Sequence, residues 1–206
     1  MSRTTSKYHH DDLRTTLLEK AEELLSERGI NGLTLRELAE RAGVSRQAPY
    51  HHFASKQALL CALAERAFED LDQLLDEGQH SNFTSVEDRF KRFVVDYVRY
   101  AATYPEKYEL MFGAVTWRNN PSTTLVEKGH NSFRRYTQIV RNLQKHGDLP
   151  AHVDALRLSQ TTWATLHGLC RLKTDGVFVS LDSVEEISLY ATNMIFSVLK
   201  SPIEFV

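Results

Sequence analysis

The sequence predicts an all-α fold of about nine helices, on three observations. Proline and glycine are scarce, five and nine in 206 residues, and most fall between apolar segments. Inside those segments apolar residues recur every three or four positions, the spacing that lines one face of a helix. Several segments open on Ser or Thr with Glu three residues later, so that a hydroxyl can cap the first free N–H groups.

In order along the chain, residues 10–28 carry Leu13, Leu17, Leu18, Ala21, Leu24 and Leu25 at helical spacing, and Gly29 is expected to end that helix as a left-handed cap. Thr34 and Glu37 form a capping box, and LRELAERA runs to Gly43. Ser45 suits the start of a short helix, RQAPYHHF, and Ser55 the start of a long one with Leu60, Leu63, Ala67, Leu71 and Leu74 on one stripe. Thr84 and Glu87 make a second box, opening a helix to about Tyr104 that Pro105 punctuates. PEKYELMF is a short helix, and Asn120 with Pro121 suits an N-cap and N1 pair for a helix ending near Gly147. Residues 152–174 form a long helix with Trp163, Leu166 and Leu169 on one side, and GVFVSLD a loop. Ser183 and Glu186 cap the last helix, which carries Ile187, Tyr190, Met194 and Val198. There are no internal repeats and no low-complexity tract.

Composition narrows the class. Hydrophobic content is 42% and charged content 25%, as in an ordinary folded domain. No apolar run is long enough to span a bilayer, so no membrane partner is expected, and the first residues lack the apolar core of a secretion signal. Cys61 and Cys170 stand apart in no paired motif, which suits free thiols in a cytoplasmic setting. The net charge is −2, and residues 1–56 hold nine Lys/Arg against eight Asp/Glu. Bulk charge therefore gives little support for nucleic-acid binding, and the case rests on where the charges sit. No zinc-hydrolase, nucleophile-elbow or phosphate-loop pattern is present. The adjacent pairs His9-His10 and His51-His52 point roughly 100° apart on a helix, poorly placed to share a metal. An enzyme is not expected, nor a metal or cofactor.

Residues 34–56 read TLRELAERAGVSRQAPYHHFASK, two short helices joined by a tight turn at Gly43. Ala39 and Val44 can pack them closely, and the second would lie in the major groove of DNA. Arg46 and Gln47 open it, where arginine can pair with guanine and glutamine with adenine; Ala48 can accept a thymine methyl. Tyr50, His52 and Lys56 can reach phosphates, and Thr34 and Arg36 sit at a helix N-terminus that is itself an anion site. Ser45 and His51 complete the candidate set. The stretch GLTLRELAERAGVSRQAPYHHFASKQALLCAL resembles the signature of the TetR/AcrR family of transcription regulators, over about residues 10–65. The resemblance implies that Arg36, Arg46, Gln47, Tyr50, His52 and Lys56 face double-stranded operator DNA. It also implies a DNA-binding domain at 1–55 and a ligand-binding, dimerisation domain at 56–206. Pro49 departs from the family, which usually has a leucine-like residue there; near N4 it would cost about one backbone bond.

The second half is rich in aromatics, which fit either a packed core or a lipophilic cavity. Phe93, Tyr97, Tyr108, Phe112, Trp117, Trp163 and His167 are the candidate ligand residues. YPEKYELMFG and WATLHGL, with Trp163, His167 and Gly168, resemble the TetR-like C-terminal domain named for a Trp-His-Gly motif. His167 suits either a donor to a ligand or a satisfied core histidine; Gly168 would admit a second helix closely. In that family the last two helices pair into a homodimer interface, for which Leu156, Leu169, Ile187, Tyr190, Met194 and Val198 are the candidates. Burial within the subunit would explain the same faces. The implied function is a repressor released from DNA by a small-molecule effector of unspecified identity; the residues equally admit an activator.

Overall fold

The computed structural model describes residues 5–80, 83, 85–177 and 184–200. Their elements are α1 (Thr5–Gly32), α2 (Leu35–Ala42), α3 (Ala48–His52), α4 (Lys56–His80), α5 (Val86–Thr103), α6 (Pro105–Phe112), α7 (Ala114–Trp117), α8 (Thr123–Lys145), α9 (Ala155–Thr174) and α10 (Val184–Leu199). The fold is all-α: every expected helix is present, and no strand forms among the described residues. The addition is α7, a single turn too short for any periodicity to announce. No described helix is long and apolar enough to cross a membrane. The chain divides into two compact units, Met1–Phe68 with Glu106–Lys128, and Glu69–Pro105 with Gly129–Val206.

The first unit buries one face of each helix. Leu17, Ala21 and Leu24 of α1, Leu38 and Ala39 of α2, and Leu59, Leu63 and Ala64 of α4 are all at most 1% exposed. Each such Leu contributes about 1.5–3 kcal/mol by leaving water. Gly29 does not end α1 as expected: at φ 65°, ψ −179° it kinks the helix, which resumes to Gly32. That backbone is open to glycine almost alone. Thr34 caps α2 as expected, its hydroxyl accepting from Glu37 N–H at 3.1 Å, but the Glu37 carboxylate takes the Arg28 guanidinium. Ser55 caps α4 through Ala58 N–H at 3.2 Å. Around α6 and α7, Phe68 meets Phe112 and Trp117 edge-on at 5.6 and 6.4 Å.

The second unit joins α5, α9 and α10 with most of α8. Its core includes Leu75, Tyr136, Val140, Leu149 and Phe196, with Phe90, Phe93 and Trp163 against them. Two expected starts move. The box at Thr84 lies outside the described residues, and the cap seen is Ser85, accepting from Asp88 N–H at 3.0 Å. Asn120 does not cap α8; it sits at φ 61° while Ser122, two residues on, accepts from Leu125 N–H at 3.0 Å. A hydroxyl can cap only from the extended position just before the first turn, and the Asn-Pro pair is used up on the approach to it. The expected Ser183 cap and most of the GVFVSLD loop lie outside the described residues. Cys61 and Cys170 are buried and not joined in a disulfide.

Candidate functional site

The turn between α2 and α3 is built by Gly43, left-handed at φ 67°, ψ 29°, whose N–H reaches Ala39 and Glu40 carbonyls. Apart from its chain neighbours, no atom of the described residues lies within 4 Å of where its Cβ would stand, so the backbone conformation requires glycine here and space does not. Val44 N–H then bonds Ala39 O at 3.0 Å, pinning the turn to the buried side of α2. The second helix starts later than expected. Arg46 and Gln47 form a turn closed by Ala48 N–H on Ser45 O at 3.0 Å, and Ser45 offers that carbonyl rather than a side-chain cap. Pro49 consequently falls in the first turn of α3, where backbone N–H groups lack helical partners anyway. The cost expected of it at N4 is absent. Pro49 is buried, and its carbonyl accepts from Phe53 N–H at 2.8 Å.

This geometry leaves Thr34, Arg36, Ser45, Arg46, Gln47, Tyr50 and His51 exposed, and Ala48, His52 and Lys56 half-buried. Arg36, Arg46, Gln47 and Tyr50 line one shallow depression. Tyr50 is 52% exposed, an unusual position for a ring without a partner surface. The Lys56 ammonium donates to Asn31 O at 3.4 Å, and His52 lies 6.4 Å from the Phe53 ring.

The pairing of charges explains how a nearly neutral segment presents cations. Glu27 and Glu23 are taken by Arg41 at 2.5 and 3.8 Å, Glu37 by Arg28, and Glu22 by Arg66 and Lys107 at 3.0 and 3.3 Å. The Arg41 hydrogen bond holds the Glu27 carboxyl below its ordinary range. Arg36 keeps only a long 3.4 Å contact to Glu40, and Arg46 joins no ion pair among the described residues. Glu22, Glu23, Glu27 and Glu37 are tied to other helices, while Arg36 and Arg46 line the depression.

A second site lies within the second unit. A cavity of about 70 Å³ is lined by apolar side chains that include Leu75, Val86, Phe90, Phe93, Ile195 and Phe196, with Tyr136, Thr162 and Arg89. Tyr136 stacks on Phe93 at 6.0 Å, and its hydroxyl shares a 2.7 Å hydrogen bond with Thr162. Burial pushes the Tyr136 phenol well above its ordinary pKa.

Of the seven candidate ligand residues, the structure puts Phe93 on the cavity wall. Tyr97 is buried 5.9 Å from Phe93, and Trp163 packs on Tyr136 at 5.6 Å. Tyr108, Phe112 and Trp117 belong to the first unit, where Tyr108 and Phe112 pack ring on ring at 5.1 Å. His167 is half-buried, its pKa lowered by burial and then by Arg171, and is not among the lining residues. A Cβ built on Gly168 would meet nothing within 4 Å among the described residues beyond its own stretch of helix, so no second helix among them uses its missing side chain. Arg89, Tyr136 and Thr162 went unremarked as site residues. The signal was there for Arg89: Val86, Phe90 and Phe93 mark an inward face, and a cation three or four residues from two of them and beside the third sits on that face. Among the described residues, no group of His, Cys, Asp or Glu could hold a metal ion.

Comparison with known proteins covers both the N-terminal and the C-terminal part of the chain. Residues 17–63 match the family model described as bacterial regulatory proteins, tetR family, and residues 90–193 match a tetracyclin repressor-like, C-terminal domain. The chain is 39% identical over 84 residues to the tetracycline repressor protein class A of Escherichia coli, a stretch covering 41% of this chain and 36% of that protein. It is 36% identical over 84 residues to the transcriptional repressor NemR of E. coli strain K12, covering 41% and 42%. It thus spans well under half the length of these curated relatives. Among solved structures, a protein with unknown function from Rhodococcus sp. RHA1 is 34% identical, with a TM-score of 0.79 over 92% of this chain and 96% of that one. The regulator PfmR of Thermus thermophilus shares the fold at 20% identity and a TM-score of 0.63, over 91% and 98%. The two models together cover most of the described chain, and the chain belongs to the TetR family of regulatory proteins.

Proposed function

We propose that this protein is a transcriptional repressor that binds double-stranded operator DNA through residues 1–55 and is released by a small molecule bound within residues 56–206. One observation carries the first half: Arg36, Arg46, Gln47 and Tyr50, from two helices and the turn between them, converge on one exposed depression. Arginine and glutamine are suited to base edges in the major groove, while Tyr50, Lys56 and the Thr34 hydroxyl suit phosphates. The Thr34 oxygen accepts from Glu37 N–H yet keeps its own proton to donate. The similarity to named repressors supports the same reading.

A homodimer would place two such units about 34–36 Å apart on the duplex. Leu156, Tyr190, Met194 and Val198 are exposed, and Tyr190 and Met194 are more than half so, which supports a partner there. The matched C-terminal segment includes Trp163, His167 and Gly168, and we assign it to the Trp-His-Gly kind. Effector action would be a shift between conformations: moving a 1:99 balance to 99:1 takes a preference of about 10⁴. A 70 Å³ cavity is small beside the roughly 300–1,000 Å³ of ligand pockets, so the effector must widen it. Leu75 on its wall and Lys56 belong to one helix, α4.

The test is a gel shift of purified protein on the DNA just upstream of its own gene, at two salt concentrations. Specific, salt-sensitive binding that the Tyr50→Ala, Lys56→Ala double variant loses is the expected result. If that DNA and a random genomic selection both returned no preferred site, the DNA-binding reading would fail.

A further inference from the structure

We propose that the cavity of the second unit takes an organic carboxylate with an apolar body, and that Arg89 is the residue that binds its carboxylate. The proposal deepens the effector half of the function above and rests on it. Charge, burial and pairing all point to an anion. Among the described residues lining the cavity, Arg89 is the one that carries a charge. Its Nε is buried and has no hydrogen-bond partner among the described residues. A buried guanidinium N–H left unpaired is costly, and an anion is the group that relieves the cost best.

The carboxylates nearest along α5 are already engaged. Glu87 accepts from Lys91 and Lys200, both at 2.8 Å, and these bonds hold its pKa below the ordinary range. Asp88 accepts from the Ser85 hydroxyl at 2.7 Å, and Asp96 takes Arg92 at 2.6 Å. None of these ion pairs includes Arg89. The remaining polar groups of the wall are engaged as well: the Tyr136 hydroxyl is bound to Thr162, which itself donates to Leu158 O at 2.8 Å. An occupant therefore finds one unmet partner, a planar cation suited to bidentate carboxylates, beside rings and aliphatic chains that reward an apolar body. A neutral lipophile would leave Arg89 as it is; a cation would be repelled by it.

Binding of straight-chain monocarboxylates of graded length and of phenylacetate to the full-length protein, by titration calorimetry, tests this against the alcohol with the same body. The wild type is expected to favour the acid by about tenfold, the worth of a charged hydrogen bond. Arg89→Met should abolish the preference while keeping the alcohol's affinity, and Arg89→Lys should retain part of it. A thermal melt of each variant, compared with wild type, separates lost anchoring from lost folding. Equal binding of acid and alcohol by the wild type, an unchanged preference in Arg89→Met, or no binding of any acid in the series would overturn the assignment. Operator binding measured on the same preparation keeps the two readings apart. Intact DNA binding with no carboxylate preference rejects Arg89 as the anchor alone, whereas absent DNA binding strikes the regulator reading whatever the acids do.

Discussion

The two units bury their aromatic rings to different ends. In the first, Phe68, Tyr108, Phe112 and Trp117 meet ring to ring, and the Trp117 indole N–H is satisfied by the Met111 carbonyl. In the second, Phe90, Phe93 and Phe196 pack on one another yet leave open space beside them. Aromatic richness alone does not mark a ligand site. What separates the clusters is open space faced by a cation, and Arg89 supplies that cation on the cavity wall of the second. Phe68→Ala should therefore cost about 3–5 kcal/mol, as for a fully enclosed ring. Phe93→Ala, half-buried beside existing space, should cost less than half of that. Denaturant unfolding of both variants measures the contrast; equal losses would mean the second cluster is ordinary core.

The surfaces differ as well. On the first unit, arginines divide into those that tie helices together and those left for a partner. Arg46→Ala should weaken operator binding by about tenfold or more with an unchanged melting temperature, the range for one specific base contact. Arg41→Ala should do the opposite. It removes the pairs to Glu27 and Glu23, lowers the melting temperature only slightly because ion pairs at the surface contribute little, and leaves DNA affinity within about twofold. If both variants lost DNA binding alike, the division between structural and recognition arginines would be wrong.

Much of the first unit was legible because its determinants are local. Thr34 and Ser55 cap within three residues of themselves, and Gly43 marks a turn by its own backbone needs. Gly29 misled for a related reason: a positive φ permits a kink as readily as a stop, and the residue alone does not choose between them. The start of α3 shifted because Arg46 and Gln47 close a backbone turn that no side chain announces. The second unit was legible as helices and not as a site. Which of its rings would share a wall depends on contacts across α5, α8, α9 and α10, and no spacing along one helix encodes those. Tyr108, Phe112 and Trp117 were grouped with Phe93 on residue type, and the fold separates them.

Two glycines sharpen the comparison with opposite signs. Gly43→Ala forces a side chain into a left-handed backbone at φ 67° and should destabilise by about 1–2 kcal/mol, despite the open space around it. Gly168→Ala sits inside α9 with equal space and ordinary helical backbone, and should stabilise by about 0.5–1 kcal/mol. A loss at Gly168 instead would place another chain against it, as the expected close helix approach requires. Melting temperatures at two protein concentrations tell these outcomes apart, because a loss that comes from a broken interface varies with concentration.

The smallest expected effect separates the units by pH. Burial lowers the His167 pKa, and Arg171 lowers it further, so folding favours the neutral imidazole. Unfolded, the ring titrates near 6.5. Between the two values the unfolded state binds more protons, so stability falls as pH drops below 6.5 and the loss levels off below the folded value. In the first unit, Glu27 has its own window: its carboxyl is depressed by Arg41, and its contribution is present above the unfolded value and lost only as pH falls further, below the ordinary carboxylate range. The two losses therefore begin at different pH. Stability measured by denaturant between about pH 7.5 and 5.5 should decline in the wild type and flatten in His167→Gln, which keeps a neutral amide in the same half-buried place. An unchanged slope in that variant would pass the effect to another histidine and leave His167 solvated. A flattened slope would identify His167 as a core histidine of α9 whose burial favours the uncharged imidazole.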